Sequence, residues 1–236
     1  TGIIDAIAAG RRAAEAIDKF LEGDKSWFGP SLDCVDYLDP LTHQRRRFVS
    51  DDCRVTASLA DALPNYSWVM TLGMADDIDA DIADRVIARQ VFKHTQKPLV
   101  FCCKDGNSLK DIYEMALLIA GSKQRFDQAP TIVQYSEPIS PLLYYSPAVD
   151  KIIFCAENGI PQINFPAPQS GSTAPATFAA EIVQGSAESL SGLVLAQLVK
   201  PGAPFIYGAF ATVMDMKTTI FSYGAPEMSL MTAAMA

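Results

Sequence analysis

From Ser50 onward the chain alternates between two hydrophobic rhythms. One is helical. Val55, Leu59 and Leu63; Ile78, Ile82 and Val86; Ile112, Met115, Ala116 and Ile119; Ile152, Ile153 and Ala156; and Phe178, Ile182, Leu190, Leu193 and Leu198 each gather on one side of an α-helix, predicting five helices with those apolar faces. The other rhythm is short and continuous: YSWVM, LVFCC, TIVQY, the run through Ile163 and Phe165, and FIYG read as buried strands. Pro64, Pro98, Pro130, Pro161 and Pro204 mark the five strand starts, where a residue without an N–H donor does no harm. They are separated by roughly 30 to 45 residues, the length of a strand-helix-strand unit.

Gly159 to Pro175 shows one unit in full. Gly159 stops a helix opened by Ser146 and Pro147, Pro161 starts the strand, and Pro166, Pro168 and Gly171 predict an irregular loop through PAPQSG. Ser172 or Thr173 is then expected to cap a helix opened by Pro175, and Asn107 or Ser108 to cap an earlier one. Ser50, with Asp51 and Asp52, caps the first helix of the repeat. Ahead of it, Thr1 to Gly23 reads as a helix, and CVDYLD and RRRFV as a hairpin around Pro40 to His43. Arg45, Arg46 and Arg47 fit a solvated strand edge better than an anion site.

Such a repeat implies an α/β protein with a parallel sheet, either open and doubly wound or closed as a TIM-type (β/α)8 barrel. No Gly-x-Gly-x-x-Gly turn follows the first strand, which favours the barrel. Five units cannot close eight strands, so residues 1–236 are expected to be one partial barrel domain: helix and hairpin over 1–49, βα repeats over 50–236. A first residue that is not Met, and an uncapped apolar helix at MSLMTAAMA, fit the same expectation of a fragment.

Charge narrows the partners. A formal net charge of -8 opposes a nucleic-acid or anionic-membrane surface. Five cysteines, Cys34, Cys53, Cys102, Cys103 and Cys155, show no C-x-x-C pair or disulfide spacing, which fits a reducing cytoplasm. No apolar run of about 18 residues is evident, so no membrane span is expected.

In a parallel α/β protein, chemistry gathers in the loops after the strands. Glu137 follows its strand directly, and Tyr135, Phe165 and Tyr207 stand near neighbouring strand ends. A carboxylate among aromatic faces suits an organic cation. If Gln162 and Asn164 point into the barrel, however, Phe165 turns toward the helices. Gln169 and Ser170, in the loop after the strand through Ile163 and Phe165, are early ligand-binding candidates, and Asp215 stands in the loop after FIYG, although a loop-stabilising role suits each equally well. No metal site is expected: vicinal Cys102 and Cys103 point to opposite sides of a strand, and His43 and His94 stand apart, His94 suiting a cap for helix carbonyls. A lyase or aldolase would require a Schiff-base lysine, for which Lys104 is the near candidate.

The linked phrases SEPISPL, FCAENGIP, PAPQSGSTAP, LVLAQLVKPGAPFIYG, VMDMKT and FSYGAPEM resemble the trimethylamine methyltransferase family from Phe28 to the end. The resemblance implies a barrel enzyme that passes a methyl group from trimethylamine, or from a quaternary amine such as glycine betaine, to the Co(I) of a separate corrinoid protein. No cofactor is then bound directly; the corrinoid is carried by the partner. One branch of the family carries pyrrolysine; none stands between Thr1 and Ala236, and its expected position lies beyond Ala236, which leaves the branch open. The expected partners are the corrinoid protein, a small methylated amine and further copies of the chain. The contrasting expectation is a non-catalytic barrel segment that docks a corrinoid or other protein.

Overall fold

In the computed structural model the described residues are 28–31, 34–71 and 73–235, so the helix expected over Thr1 to Gly23 lies outside them. They form two compact units that meet in the chain between Gln134 and Tyr135.

The first unit opens on the expected hairpin, β1 (Asp36–Leu38) antiparallel to β2 (Arg45–Arg47). His43, at φ 57°, lies in the turn. The basic run lies on a solvated strand edge, with Arg45 and Arg47 exposed and carboxylates alongside. Arg45 pairs with Asp36, and Arg46 grips both oxygens of the buried Asp52 at 2.6 and 2.8 Å while stacking over Tyr37. Three βα steps follow: α1 (Ser50–Ala62), β3 (Val69–Met70), α2 (Ala83–His94), β4 (Leu99–Phe101), α3 (Gly106–Ala120), α4 (Lys123–Gln128) and β5 (Ile132–Ser136). β3 pairs parallel with β4, and β4 with β5. Asp105, not Asn107 or Ser108, caps α3 by accepting the Ser108 amide, because the carboxylate sits one residue before the first turn. At the end of α2 the His94 ring lies 2.7 Å from the Gln90 carbonyl, as a capping histidine should.

The second unit continues from the end of β5 through α5 (Ser146–Asn158), β6 (Gln162–Asn164), β7 (Gln169–Ser170), α6 (Phe178–Val199), β8 (Phe205–Tyr207), β9 (Thr212–Val213) and α7 (Pro226–Met235). Gly159 closes α5 in the left-handed region at φ 69°, as its position predicts. β6 pairs parallel with β8. Along the sheet the order is β3-β4-β5-β6-β8, one strand after each of the five prolines.

Three expectations need correcting. PAPQSG is not wholly irregular: Gln169–Ser170 forms β7 and pairs parallel with β9, a contact between distant residues that local composition does not reveal. α6 starts at Phe178 after Thr177 rather than at Pro175, and it has no side-chain cap. α6 is also, by length and hydropathy, long and apolar enough to cross a membrane, against the expectation of no such run. Its inward face nevertheless carries hydrogen-bonded carboxylates.

The helix faces also differ from the periodicity. Val55 and Leu59 of α1, and Phe178, Leu190 and Leu198 of α6, are exposed, while α6 buries Glu181, Gly185, Glu188, Ser189, Gly192 and Ala196. Small residues permit close approach: an added Cβ on Gly192 would lie 2.4 Å from Asn164 Nδ2, and one on Gly185 would lie 3.3 Å from Ala209 Cβ. Apolar packing is completed by Ile152, Ala156, Ala196 and Ala203 between α5 and α6, and by Ala209, Ala211, Met231 and Met235 beneath α7.

Candidate functional site at the strand ends

β6 sorts the candidate residues by side. Asn164 is fully buried and points at α6, where Gly192 makes room for its amide. Tyr207 is the register partner of Asn164, so it shares that face, and its hydroxyl donates to Ser186 Oγ at 2.9 Å. The polar alternate positions of β6 therefore face the helix, the reverse of an inward-facing Gln162 and Asn164. Phe165, one residue on, turns to the other side.

There it meets Tyr135, ring centroids 6.3 Å apart and planes at 69°, an edge-to-face pair. The Tyr135 hydroxyl donates to Glu137 Oε1, and Glu137 is exposed to solvent. The geometry follows from the strand: Tyr135 and Glu137 are two residues apart and share a side of β5 as it ends. Gly208 supplies the space for Phe165, since a Cβ there would lie 2.6 Å from two ring carbons. One carboxylate and two rings thus come together on the side away from α6. An ammonium centre would find both a counter-charge and π faces there.

The other candidates lie elsewhere. Ser170 is buried in β7, and its hydroxyl donates to Glu181 Oε2. Gln169 begins β7, with its amide donated to Thr173 Oγ1 at 3.1 Å. Asp215 accepts the Lys217 amide at 2.8 Å and closes its own turn, with its carboxyl held below the usual range mainly by that bond. Lys104 pairs with Asp81, which holds its ammonium above the ordinary value, the opposite of what an amine nucleophile requires.

Two functional-looking residues escaped the sequence reading. Glu181 and Glu188 lie on the buried face of α6 with relative exposures of 0% and 1%. Glu181 Oε1 accepts the Thr212 amide at 2.8 Å, so with Ser170 it ties β7 to β9. Burial pushes its carboxyl up, partly opposed by the Ser170 and Thr212 hydrogen bonds. Glu188 accepts from Ser140 Oγ at 2.7 Å, from the Leu142 amide at 2.8 Å and from Gln184 Nε2 at 2.9 Å. Two acids two turns apart in a helix with no other charged residue were the available clue.

This combination defines an α/β protein with a parallel sheet whose strand ends bring an acid and aromatic rings together. The comparisons give that class a family: residues 7–236 match trimethylamine methyltransferase (MTTB), and the chain belongs to that family. It is 30% identical over 230 residues to the trimethylamine methyltransferase MttB of Desulfitobacterium hafniense strain DSM 10664 / DCB-2, covering 98% of this chain and 46% of that protein. It is 28% identical over 215 residues to the glycine betaine methyltransferase of D. hafniense strain Y51, covering 91% and 45%. To the proline betaine:corrinoid methyltransferase of Eubacterium limosum it is 36% identical over 130 residues, covering 55% and 27%. The chain thus spans about half the length of the first two relatives, at 46% and 45%.

Proposed function

We propose that this protein transfers a methyl group from trimethylamine or a quaternary amine to the Co(I) of a cognate corrinoid protein, and that Glu137, Tyr135 and Phe165 hold the amine. The observation that carries this reading is Tyr135 at the strand end, hydrogen-bonded to Glu137 and edge-to-face with Phe165, in a chain of this family. Relatives named for trimethylamine, glycine betaine and proline betaine share a methylated nitrogen as the substrate's common feature. The parallel sheet is proposed to continue as a TIM-type (β/α)8 barrel.

A quaternary nitrogen leaves as a neutral amine: Co(I) supplies the electron pair of the new carbon–cobalt bond, the C–N pair stays on nitrogen, and no proton is needed, whereas trimethylamine leaves as neutral dimethylamine once its nitrogen is protonated. The chain's task is then orientation. Glu137 offsets the cation's charge, and the Tyr135 hydrogen bond fixes the carboxylate's direction. Phe165 offers a ring face or edge beside the methyl groups. Gln169 is kept as a secondary contact to a betaine carboxylate. In this reading Ser170, Tyr207 and Asp215 support their loops.

The test is direct. Purified protein mixed with the Co(I) corrinoid protein and glycine betaine, proline betaine or trimethylamine should produce methyl-cobalt absorbance with one of them. Glu137→Gln should weaken amine binding by about tenfold, the scale of one charged partner lost at a partly exposed site. Unchanged affinity in that variant removes the carboxylate role. Absence of methyl-cobalt with every amine favours a docking role without catalysis.

A further inference from the structure

We infer that the outer face of α6 is a self-association surface, on which a second copy of this chain docks antiparallel about a two-fold axis midway between Ala187 and Leu190. This goes beyond the proposed methyl transfer and stands independently of it.

The inner face of α6 is occupied. Glu181 and Glu188, the charged residues of the helix, are both buried and accept hydrogen bonds from Ser170, Thr212, Ser140 and Leu142. The outer face is left with Ala179, Val183, Ala187, Leu190, Val194 and Leu198, all exposed, with Ser191 at its edge. Val183 and Leu198 are 68% and 66% exposed. A surface helix ordinarily turns charged residues to water, so an uncharged apolar stripe over about 28 Å of helix marks a contact surface.

The spacing identifies the partner. Successive stripe residues are separated by 4, 4, 3, 4 and 4 positions, a series that reads the same in both directions. At about 100° per residue, all six fall within a stripe about 100° wide. A two-fold axis between antiparallel helices reverses one copy against the other, so the surface must match its own reversal. This one does. Reversal sets Ala179 against the partner's Leu198, Val183 against the partner's Val194, and Ala187 against the partner's Leu190. Small residues meet large ones and two valines meet each other, which lets the two rows interdigitate.

Charge points the same way. Two copies with a formal net charge of -8 repel wherever acidic surfaces meet, and α6 offers them a face without acids. A bilayer suits the face less well. The helix is long and apolar enough to cross one, but crossing would take Glu181 and Glu188 from their partners, and the helix has no Lys or Arg to meet lipid headgroups. A stripe about 28 Å long and about 10 Å wide covers about 600 Å² in the pair, below the roughly 1,200 Å² at which stable complexes begin. The dimer is therefore a weak one, dissociating in the micromolar range.

Sedimentation velocity of the purified protein between about 1 and 200 μM should show monomer passing into dimer. Val183→Lys and Val194→Glu each place two unpaired charges in the contact and should raise the dimer Kd about tenfold or more. Mixed in equal amounts, the two variants should associate to within about threefold of the wild type, because antiparallel order sets the new cation of one against the new anion of the other and leaves the second Val183–Val194 pair intact. Parallel helices would set position 183 against itself and give no rescue. Leu198→Glu, at the far end of the stripe, should weaken the dimer as well, and thermal denaturation checks the fold of each variant.

A wild type that stays monomeric over the whole range overturns the inference. So do single variants that dimerise as the wild type does, or a mixture that associates no better than either variant alone. Co-sedimentation of the wild type with phosphatidylcholine vesicles, lost in Val183→Lys, also overturns it, because the face would then belong to a lipid surface.

Discussion

Gly208→Ala tests the site through a residue that carries no functional group. An added Cβ would stand 2.6 Å from Phe165 Cε1 and Cζ and 3.3 Å from Cδ1, whereas carbon atoms rest at about 3.5 to 4.0 Å. The Phe165 ring must therefore retreat by about 1 Å or rotate. Its edge-to-face contact with Tyr135, already at 6.3 Å, would be lost or rearranged. Overpacking of this kind costs about 1 to 3 kcal/mol, and the aromatic pair adds about 0.5 to 1.5 kcal/mol. Loss of one ring from a cation's surroundings is worth about 0.5 to 2 kcal/mol, or about a two- to thirtyfold rise in Kd. Calorimetric titration with tetramethylammonium or glycine betaine measures it, and thermal denaturation separates the stability cost. Repeating the substitution in a Phe165→Leu background closes the cycle: if the effect passes through the ring, the second Gly208→Ala should add little. Wild-type affinity in Gly208→Ala, or an equal loss in both backgrounds, would refute the reasoning.

Gly192→Ala forces a methyl group to 2.4 Å from Asn164 Nδ2, and after about 1 kcal/mol of better helix propensity the net loss should be about 1 to 2 kcal/mol by chemical denaturation. Glu181 has its folded-state pKa raised, so the folded chain binds the extra proton and stability declines as pH rises from the ordinary carboxylate value through the raised one. Glu181→Gln should remove that decline, seen as a flatter pH dependence in denaturant titrations, while Glu181→Ala strands the Ser170 and Thr212 donors and should cost about 2 to 5 kcal/mol. Arg46 holds Asp52 below the usual carboxylate range, and the resulting stability is present above the ordinary Asp value and lost as pH falls through the lowered one. Arg46→Ala should lower stability at neutral pH, measured by denaturant titration, and make the acid-side loss shallower.

The strands were legible because a chemical mark precedes each: Pro98, Pro161 and Pro204 stand immediately before β4, β6 and β8. Tyr135, Glu137 and Phe165 were legible as a group because strand-end position and residue type are local facts. The inner face of α6 was not. Periodicity weighs large apolar residues, and here Leu190 and Leu198 look outward while glycine, serine and glutamate look in. Those acids are compatible with burial only through partners such as Ser140, Leu142 and Thr212, all far away in the chain. Tyr207 illustrates the same gap: its residue type suited the site, but the register with Asn164 turned it to Ser186. β7 and β9 were illegible for a similar reason, since a pair of two-residue strands exists only through its partner.

Because Glu181 and Glu188 hang from one helix, the spacing between the loops they hold is measured by helical rise rather than by loop length. Each residue contributes about 1.5 Å and a turn of about 100°. The loops can therefore lengthen or change composition without losing their relative placement, but inserting or deleting one residue between the two glutamates would swing one of them off the shared face. The stretch Glu181 to Glu188 is thus the part of this chain where length, more than identity, must be kept.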